Sequence, residues 1–304
     1  MSKVMVSLVG EQPIPNLLPL KDRPPDVAVM VHTGATRTQA WTVGELLKPN
    51  IPVDHLDVLP YDIEATRVTL QEYVVRRGWA GAEVTFNLTG GTKSMALAAF
   101  EVARECRSEF LYLQTEGRRS RAYRYGFDDG RSVRLIESRI LPTLIDLDTF
   151  IRAHVGGYQM QGPSSTRGGA FEQAVAKALR PWVDEMLIGV KIGGALDLDL
   201  VVRCENQVGV VEAKASEISK RGIDQLNTAA GREYLGTYTQ KILVQDRPAD
   251  HTRLNLLELA QARNIEVISV PSFAETGQIS TADAKTMGQK IRKALIGEGD
   301  GALP

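Results

Sequence analysis

Over the first 140 residues, short runs of apolar and β-branched residues alternate with longer segments in which apolar residues recur at helical spacing. The strands predicted from the short runs are residues 4–9, 27–32, 53–59, 84–88 and 110–113. The helices predicted from the longer segments are residues 37–47, 65–77 and 93–107. Such alternation is typical of a mostly parallel sheet covered by helices on both faces. We therefore expect a Rossmann-like α/β domain.

A change of pattern near residue 140 predicts the end of this domain. Residues 121–125 and 132–137 flank an Asp-Asp-Gly turn signal at 128–130 and are typical of an antiparallel hairpin that closes the sheet. A helical pattern at 144–154 precedes a stretch rich in Gly, Pro and Ser at 156–168. The predicted organisation is a first domain at 1–140, a connecting helix and linker at 141–168, and a second domain at 169–304.

The second domain is also predicted to be α/β, with three consecutive strands after its first helix. Its predicted strands are residues 187–192, 197–202, 208–213, 241–245 and 265–270. Its predicted helices are residues 170–184, 223–234, 253–263 and 282–295.

Composition limits the classes of function. The chain has 304 residues, of which 43% are hydrophobic and 24% charged, as in folded soluble proteins. The net charge is −1, so contact with nucleic acid would depend on local basic patches or bound metal. Cys106 and Cys204 are the only cysteines, so neither a disulfide framework nor a structural zinc site is expected. We expect a cytoplasmic protein without membrane contact, because neither a signal peptide nor a sufficiently long apolar stretch is present.

Acidic residues and a lysine alternate with apolar residues on two successive predicted strands. Asp197 and Asp199 share one strand face, as do Glu212 and Lys214. A tight turn at 205–207 would pair the strands and bring Asp199, Glu212 and Lys214 together. Two carboxylates, a backbone carbonyl and water suit Mg²⁺ or Mn²⁺, and such a site suits phosphodiester hydrolysis, with Lys214 orienting water or supporting the transition state. The alternative is an exposed, solvated strand face.

These residues carry a resemblance to a nuclease family. Asp199, twelve intervening residues and Glu212-Ala213-Lys214, preceded by a helix with Glu172, resemble the PD-(D/E)XK nuclease fold. The resemblance implies a Mn²⁺ or Mg²⁺ ion held by Glu172, Asp199, Glu212 and the carbonyl of Ala213, with Lys214 catalytic. It also implies a catalytic role for Gln225 on the following helix. Asp197 fits only as a neighbouring or solvated acid.

A Thr- and Gly-rich loop joins the strand at 84–88 to the next helix. It would present backbone N–H groups and the positive end of a helix dipole to an anion. Its sequence is neither a P-loop nor the dinucleotide-binding fingerprint. The alternative is a tight turn in which Thr92 caps the helix.

Together with residues 6–18 and the turn at 32–37, the loop sequence NLTGGTKSM at 87–95 resembles the CARF domain, the CRISPR-associated Rossmann fold that senses cyclic oligoadenylates. The ligand contacts that this resemblance implies are Gln12, Thr33, Gly34, Thr36, Arg37, Asn87, Thr89, Gly90, Gly91, Thr92, Lys93 and Met95.

The two resemblances together indicate the CARF-domain PD-(D/E)XK effector nucleases of type III CRISPR systems. That family implies a homodimer that binds one cyclic tetra-adenylate across its two-fold axis and then cleaves RNA or DNA, either single-stranded or as nicks in duplex DNA. Two alternatives remain: a catalytically silent sensor or regulator, and a ring nuclease that degrades the cyclic messenger. A HEPN ribonuclease is disfavoured, because Arg247 and His251 have only three residues between them and Pro248 is one of the three. The basic run at 118–124 predicts either nucleic-acid contact or a solvated hairpin.

Overall fold

The chain folds into two compact units in a computed structural model. The structure describes residues 2–79, 83–116, 118–128, 132–162, 166–194, 196–216, 218–248 and 254–297. The first unit is Met1–Leu144 and the second is Ile145–Pro304. The helix predicted within the connecting segment therefore belongs to the second unit. The predicted turn at 128–130 and His251 lie largely or wholly outside the described residues.

The first unit contains a seven-stranded sheet. Its strands are β1 (Lys3–Leu8), β2 (Val27–His32), β3 (Val53–Asp57), β4 (Glu83–Asn87), β5 (Glu109–Glu116), β6 (Arg119–Asp128) and β7 (Ser132–Ile140). Their spatial order is β3-β2-β1-β4-β5-β6-β7. The first five strands are parallel, and β6 and β7 are antiparallel. This is the predicted Rossmann-like sheet. Strands β2 and β3 lie on one side of β1 and strands β4 and β5 on the other, so the strand order reverses between β1 and β4. Such a reversal creates a crevice at the carboxyl ends of these two strands.

Helices flank this sheet as predicted, with one addition. They are α1 (Ile14–Asp22), α2 (Arg37–Leu47), α3 (Ile63–Arg76) and α4 (Lys93–Glu105). The sequence pattern did not predict α1, because Pro15 and Pro19 both lie within it. Proline in the first helical turn costs little, and burial of Leu17, Leu18 and Leu20 stabilises the helix.

The second unit contains a six-stranded sheet. Its strands are β8 (Gln159–Met160), β9 (Glu185–Ile192), β10 (Leu196–Cys204), β11 (Gln207–Lys214), β12 (Gln240–Gln245) and β13 (Ile265–Ser269), in the order β13-β12-β11-β10-β9-β8. Strands β8 to β11 pair antiparallel, and β11 to β13 pair parallel. The helices are α5 (Leu147–Val155), α6 (Arg167–Leu179), α7 (Lys220–Ala229), α8 (Leu254–Ala262), α9 (Ser272–Thr276) and α10 (Thr281–Ile296).

The stretch predicted as a linker contains β8, which pairs with β9. Gln161 continues this contact by donating a backbone hydrogen bond of 2.7 Å to the carbonyl of Gly189. Gly189 has φ +65°, and a Cβ atom there would lie 1.9 Å from the Gln161 carbonyl oxygen. The pairing therefore requires glycine at this position.

The core of the second unit lies between the sheet and helices α6 and α10. Phe171, Val175 and Leu179 of α6 pack with Leu200 and Val211 of the sheet. Helix α6 ends five residues earlier than predicted, since a 3-10 turn at Arg180–Trp182 replaces its last turn where Pro181 removes a backbone donor. Within the described part of the chain, no helix combines the length and apolar character needed to cross a bilayer.

Candidate active site and ligand-binding loops

The predicted acids lie where strands β10 and β11 separate. The antiparallel ladder runs from Cys204↔Gln207 to Leu200↔Val211 and ends immediately before Asp199 and Glu212. There the Oδ2 atom of Asp199 accepts a hydrogen bond of 2.7 Å from the backbone N–H of Ala213. This hydrogen bond to the side chain of Asp199 thus connects the two strands beyond the end of the ladder.

Glu212 and Lys214 form an ion pair at the end of β11. The carboxylate of Glu212 is 1% exposed, and its Oε1 contacts the ammonium of Lys214. Among the described residues, no group donates a hydrogen bond to Oε2. The side chain of Lys214 is 33% exposed, so it connects a buried carboxylate with solvent.

Burial raises the pKa of all three acids, and the charge of Asp199 adds to the shift of the other two. Burial, followed by the charge of Asp199, raises the pKa of Glu212. Burial also raises the pKa of Asp199, although the hydrogen bond from Ala213 opposes the shift. The pKa of Glu172 on α6 is raised by burial and then by Asp199. Burial disfavours the charged form of Lys214, but Glu212 and the other acids raise the pKa of its ammonium overall. The site therefore holds clustered acids whose charges are only partly compensated.

Glu172 and Gln225 approach the site from two different helices. Phe171 and Val175 bury one side of α6. The partly exposed Glu172 lies close enough to Asp199 for the charge of Asp199 to raise the pKa of Glu172. The side-chain amide of Gln225 on α7 donates a hydrogen bond to the backbone carbonyl of Asp197. Gln225 therefore holds β10 two residues before Asp199.

Asp197 lies on the strand face of Asp199, but in a different environment. Its side chain is 70% exposed, and its Oδ1 atom is 3.7 Å from the ammonium of Lys191. It is a solvated neighbour, in agreement with the weaker role predicted for it.

The donors present fit a divalent cation in type, although they do not form a ready-made cage. Within the described residues, no group of three or more His, Cys, Asp or Glu side chains is close enough to hold a metal ion. The buried Oε2 of Glu212 lacks a hydrogen bond, and its carboxyl group has a raised pKa, as expected where a cation could replace a proton. Two carboxylates with the Ala213 carbonyl and water form a shell that hard cations accept.

Two buried polar residues near Lys214 were not predicted from the sequence. Gln245 of β12, opposite Lys214, accepts a hydrogen bond from the N–H of Ile218 and donates one to Ser269 Oγ. Asp246 follows it, is fully buried and pairs with Arg167. The only available signal was a Gln-Asp-Arg run directly after an apolar strand.

In the first unit, Asn87 organises the Thr- and Gly-rich loop. Its Oδ1 atom accepts hydrogen bonds from the N–H and hydroxyl of Thr89, and its amide donates to the carbonyl of Pro15. The hydroxyl oxygen of Thr89 in turn accepts a hydrogen bond from the N–H of Leu113. Asn87 is fully buried, so its side chain shapes the loop from beneath.

The glycines of this loop allow a very close backbone approach. A Cβ atom on Gly90 would lie 2.1 Å from the carbonyl oxygen of Leu8 and 2.9 Å from the N of Gly10. Gly91 has φ +71°, which favours glycine. The loop after β4 therefore packs directly on the loop after β1, at the crevice where parallel sheets bind ligands.

Helix α4 begins at the end of this loop. Thr92 caps it by accepting a hydrogen bond of 3.2 Å from the N–H of Met95, and its hydroxyl donates to the carbonyl of Pro60. Lys93 is exposed, whereas Met95 is fully buried in the core. Capping thus occurs as expected, and it leaves the charge of Lys93 available to an anion.

The predicted contacts after β2 form a second loop at the same end of the sheet. The N–H of Thr33 donates to the hydroxyl of Thr36, and Gly34 is exposed. Arg37 is exposed and pairs with Asp57 at 2.6 Å. Gln12, after β1, is partly exposed. Because β1, β2 and β4 are parallel neighbours, these residues share the carboxyl edge of the sheet.

The basic run at 118–124 lies mainly in β6, and its arginines make local ion pairs. Arg121 pairs with Glu116, and Arg124 pairs with Glu109 and Glu137. These contacts favour the hairpin interpretation over nucleic-acid contact.

Comparison with known proteins agrees with this architecture. Residues 4–134 match the family model described as the Card1 CARF domain. No curated protein matches the chain. Can2 from Sulfobacillus thermosulfidooxidans, solved in complex with cyclic tetra-adenylate, is 15% identical with a TM-score of 0.73, covering 96% of this chain and 99% of Can2. Protein VC1899 from Vibrio cholerae is 13% identical with a TM-score of 0.72, covering 97% of this chain and 99% of that protein.

A third solved structure, a type III CRISPR defence DNA nuclease activated by cyclic oligoadenylate, is 15% identical with a TM-score of 0.59, covering 89% of this chain and 48% of that one. At these identities the structural likenesses establish the fold. Together with the family-model match, they agree with the predicted resemblance at the level of the fold. Residues 4–134 are thus similar to the Card1 CARF domain, and the chain as a whole has the α/β fold of Can2.

Proposed function

We propose that this protein is a metal-dependent nuclease of type III CRISPR defence that a cyclic oligoadenylate activates. The observation that carries the proposal is that Asp199 of β10 lies beside Glu212 and Lys214 of β11 where the two strands separate. The same chain matches the Card1 CARF domain over residues 4–134. Can2, the relative solved with cyclic tetra-adenylate, makes that ring the first candidate for the activator.

The activator would bind at the carboxyl edge of the first sheet. The exposed Lys93 supplies charge, and the start of α4 supplies backbone N–H groups for phosphate. Gly90 and Gly91 let the backbone approach the ligand closely, while Gln12, Gly34, Thr36 and Arg37 would contribute from the neighbouring loops. Asn87, Thr33 and Met95 are buried and would act by shaping these loops. A cyclic ligand with repeated phosphates suits a homodimer, because a two-fold interface presents each contact twice.

The nuclease site would comprise Asp199, Glu212 and the carbonyl of Ala213 as ligands of Mn²⁺ or Mg²⁺, with Glu172 completing the acidic group. The bound cation would supply positive charge next to the scissile phosphate and acidify a coordinated water. Lys214, held by Glu212, would orient the attacking water and offset negative charge that develops on the phosphate. Gln225 would keep β10, and with it Asp199, in position.

The test is a cleavage assay with the whole chain. Labelled single-stranded RNA, single-stranded DNA and supercoiled plasmid would be incubated with Mn²⁺ or Mg²⁺, alone or with cyclic tri-, tetra- or hexa-adenylate. We expect cleavage only with one ring size, with tetra-adenylate the first choice. Equal cleavage without any ring would rule out activation. Ring binding without cleavage would identify a silent sensor, and loss of the ring alone would identify a ring nuclease.

A further inference from the structure

A buried carboxylate lies next to Lys214 on the neighbouring strand. Asp246 directly follows β12, and its backbone N–H donates a hydrogen bond of 3.2 Å to the carbonyl of Lys214. Its side chain has no exposed surface. Asp246 therefore lies at the sheet edge that carries the proposed nuclease site, yet no role in that site has been assigned to it.

Two arginines compensate this buried charge while remaining open to solvent. The Nη2 atom of Arg167 is 2.8 Å from Oδ2 of Asp246, and the Nε atom of Arg247 is 3.6 Å from Oδ1. Among the described residues, no group donates a hydrogen bond to Oδ1. The side chains of Arg167 and Arg247 are 58% and 46% exposed. One buried carboxylate thus anchors two guanidinium groups on side chains that are about half exposed.

Helix stability alone does not explain Arg167. It is the first residue of α6, and the first turn of α6 contains no acid. A cation there faces the positive end of the helix dipole, where a carboxylate would be favoured. Replacing an ion pair around a buried carboxylate by apolar residues of similar volume is often neutral or stabilising, so stability alone does not require this pair. An arginine at an electrostatically unfavourable helix start, beside the proposed catalytic Lys214, is more readily explained by a role in ligand binding than by a role in stability.

We propose that Arg167 and Arg247 bind backbone phosphates of the nucleic-acid substrate beside the bond that is cut, and that Asp246 is the positioning residue that orients both. This inference rests on the proposed nuclease function. A guanidinium has five donors and binds phosphate in a bidentate manner, so Arg167 can contact Asp246 and a phosphate together. Because the chain has a net charge of −1, local cations of this kind, together with a bound metal ion, would supply the attraction for a polyanion.

The binding test uses the whole chain carrying Lys214→Met, so that the probe stays intact. Fluorescence anisotropy would measure the Kd of a labelled single-stranded oligonucleotide with the activator and Mn²⁺, between about 50 and 200 mM salt. Arg167→Gln should lower the salt slope of log Kd by about 0.7, the value for one phosphate contact on a single strand. Arg180→Gln is the matched control, since Arg180 is exposed at the opposite end of α6.

Kinetics on the otherwise unaltered chain separate positioning from a merely structural role. Arg167→Gln and Asp246→Asn should raise KM several-fold with kcat little changed, and Arg167→Lys should restore part of the salt slope. A fall in kcat at unchanged KM would refute the phosphate-binding role, as would equal salt slopes for Arg167→Gln and Arg180→Gln. If the unaltered chain binds no nucleic acid at any salt concentration, the proposed function fails and this inference with it. If the unaltered chain binds nucleic acid but the two variants have equal salt slopes, only this inference is contradicted and the proposed function is not.

Discussion

The carboxylate of Asp199 accepts a hydrogen bond of 2.7 Å from the backbone N–H of Ala213, the residue between Glu212 and Lys214. This bond lies one step beyond the last ladder pair of β10 and β11. It therefore keeps the acid of one strand and the Glu-x-Lys pair of the next at a fixed separation after the ladder has ended. Three predictions concern this site and the ligand loop, and a fourth concerns the buried His154 of α5.

Replacing Lys214 with Met should reduce cleavage by about 100-fold or more, within the usual range for a group that stabilises transition-state charge. Activator affinity, measured by calorimetry, should stay within about two-fold because the ring would bind in the other unit. Lys191→Met is the matched control, since Lys191 lies near the site but its ammonium contacts the solvated Asp197. Cleavage by the Lys214 variant at the rate of the control would remove Lys214 from the proposed chemistry.

Binding of Mn²⁺ should release protons near pH 6.5. Burial and the charge of Asp199 raise the pKa of Glu212 to about 7, so a fraction of this carboxyl group is protonated until the cation replaces the proton. Calorimetric titration in two buffers of different ionisation enthalpy measures this release, because the apparent enthalpy then differs between the buffers. Glu212→Gln should reduce the difference. Identical enthalpies in both buffers for the unaltered chain would argue against a cation at these carboxylates.

Lowering the pH from 6.5 towards 4 should destabilise the second unit through His154. Burial lowers the pKa of His154 from 6.5 to about 4, while its N–H donates to the carbonyl of Phe150. The unfolded chain thus binds the additional proton in this range, and stability rises with pH and is lost as pH falls. The loss is at most about 3 kcal/mol for a shift of this size. Urea unfolding at several pH values should show a shallower pH dependence for His154→Gln, and equal dependence would contradict the assignment.

Substituting Gly90 with Ala should weaken activator binding at least ten-fold and lower stability by about 1–3 kcal/mol, the usual cost of overpacking. The new Cβ atom would meet the backbone of Leu8 and force apart the loops after β1 and β4. Gly157→Ala in the second unit is the control, since a Cβ atom there also has no neighbour within 4 Å. Thermal melting and titration with cyclic tetra-adenylate measure both effects. Equal behaviour of the two variants would show that close packing at Gly90 does not shape the ligand site.

The sequence alone determined the periodic features of this protein. Alternation along residues 197–214 was enough to predict two paired strands that bring Asp199, Glu212 and Lys214 together, because side-chain direction in a strand depends only on position along it. The loop at 87–95 likewise carried the resemblance to the CARF domain and predicted a capped turn, because its glycines and the cap at Thr92 act over a few residues.

Tertiary structure decided the features that depend on partners distant in the chain. Strand β8 pairs with β9, although it lies in a stretch whose composition predicts a linker. Helix α1 forms despite its prolines because its leucines are buried in the folded chain. Only the folded chain shows that Asn87 and Met95 are buried, and that Asp246 joins Arg167 beside Lys214 across 79 residues of sequence. Local periodicity reports the face on which a side chain lies, whereas burial and ion pairing depend on which distant segment covers that face.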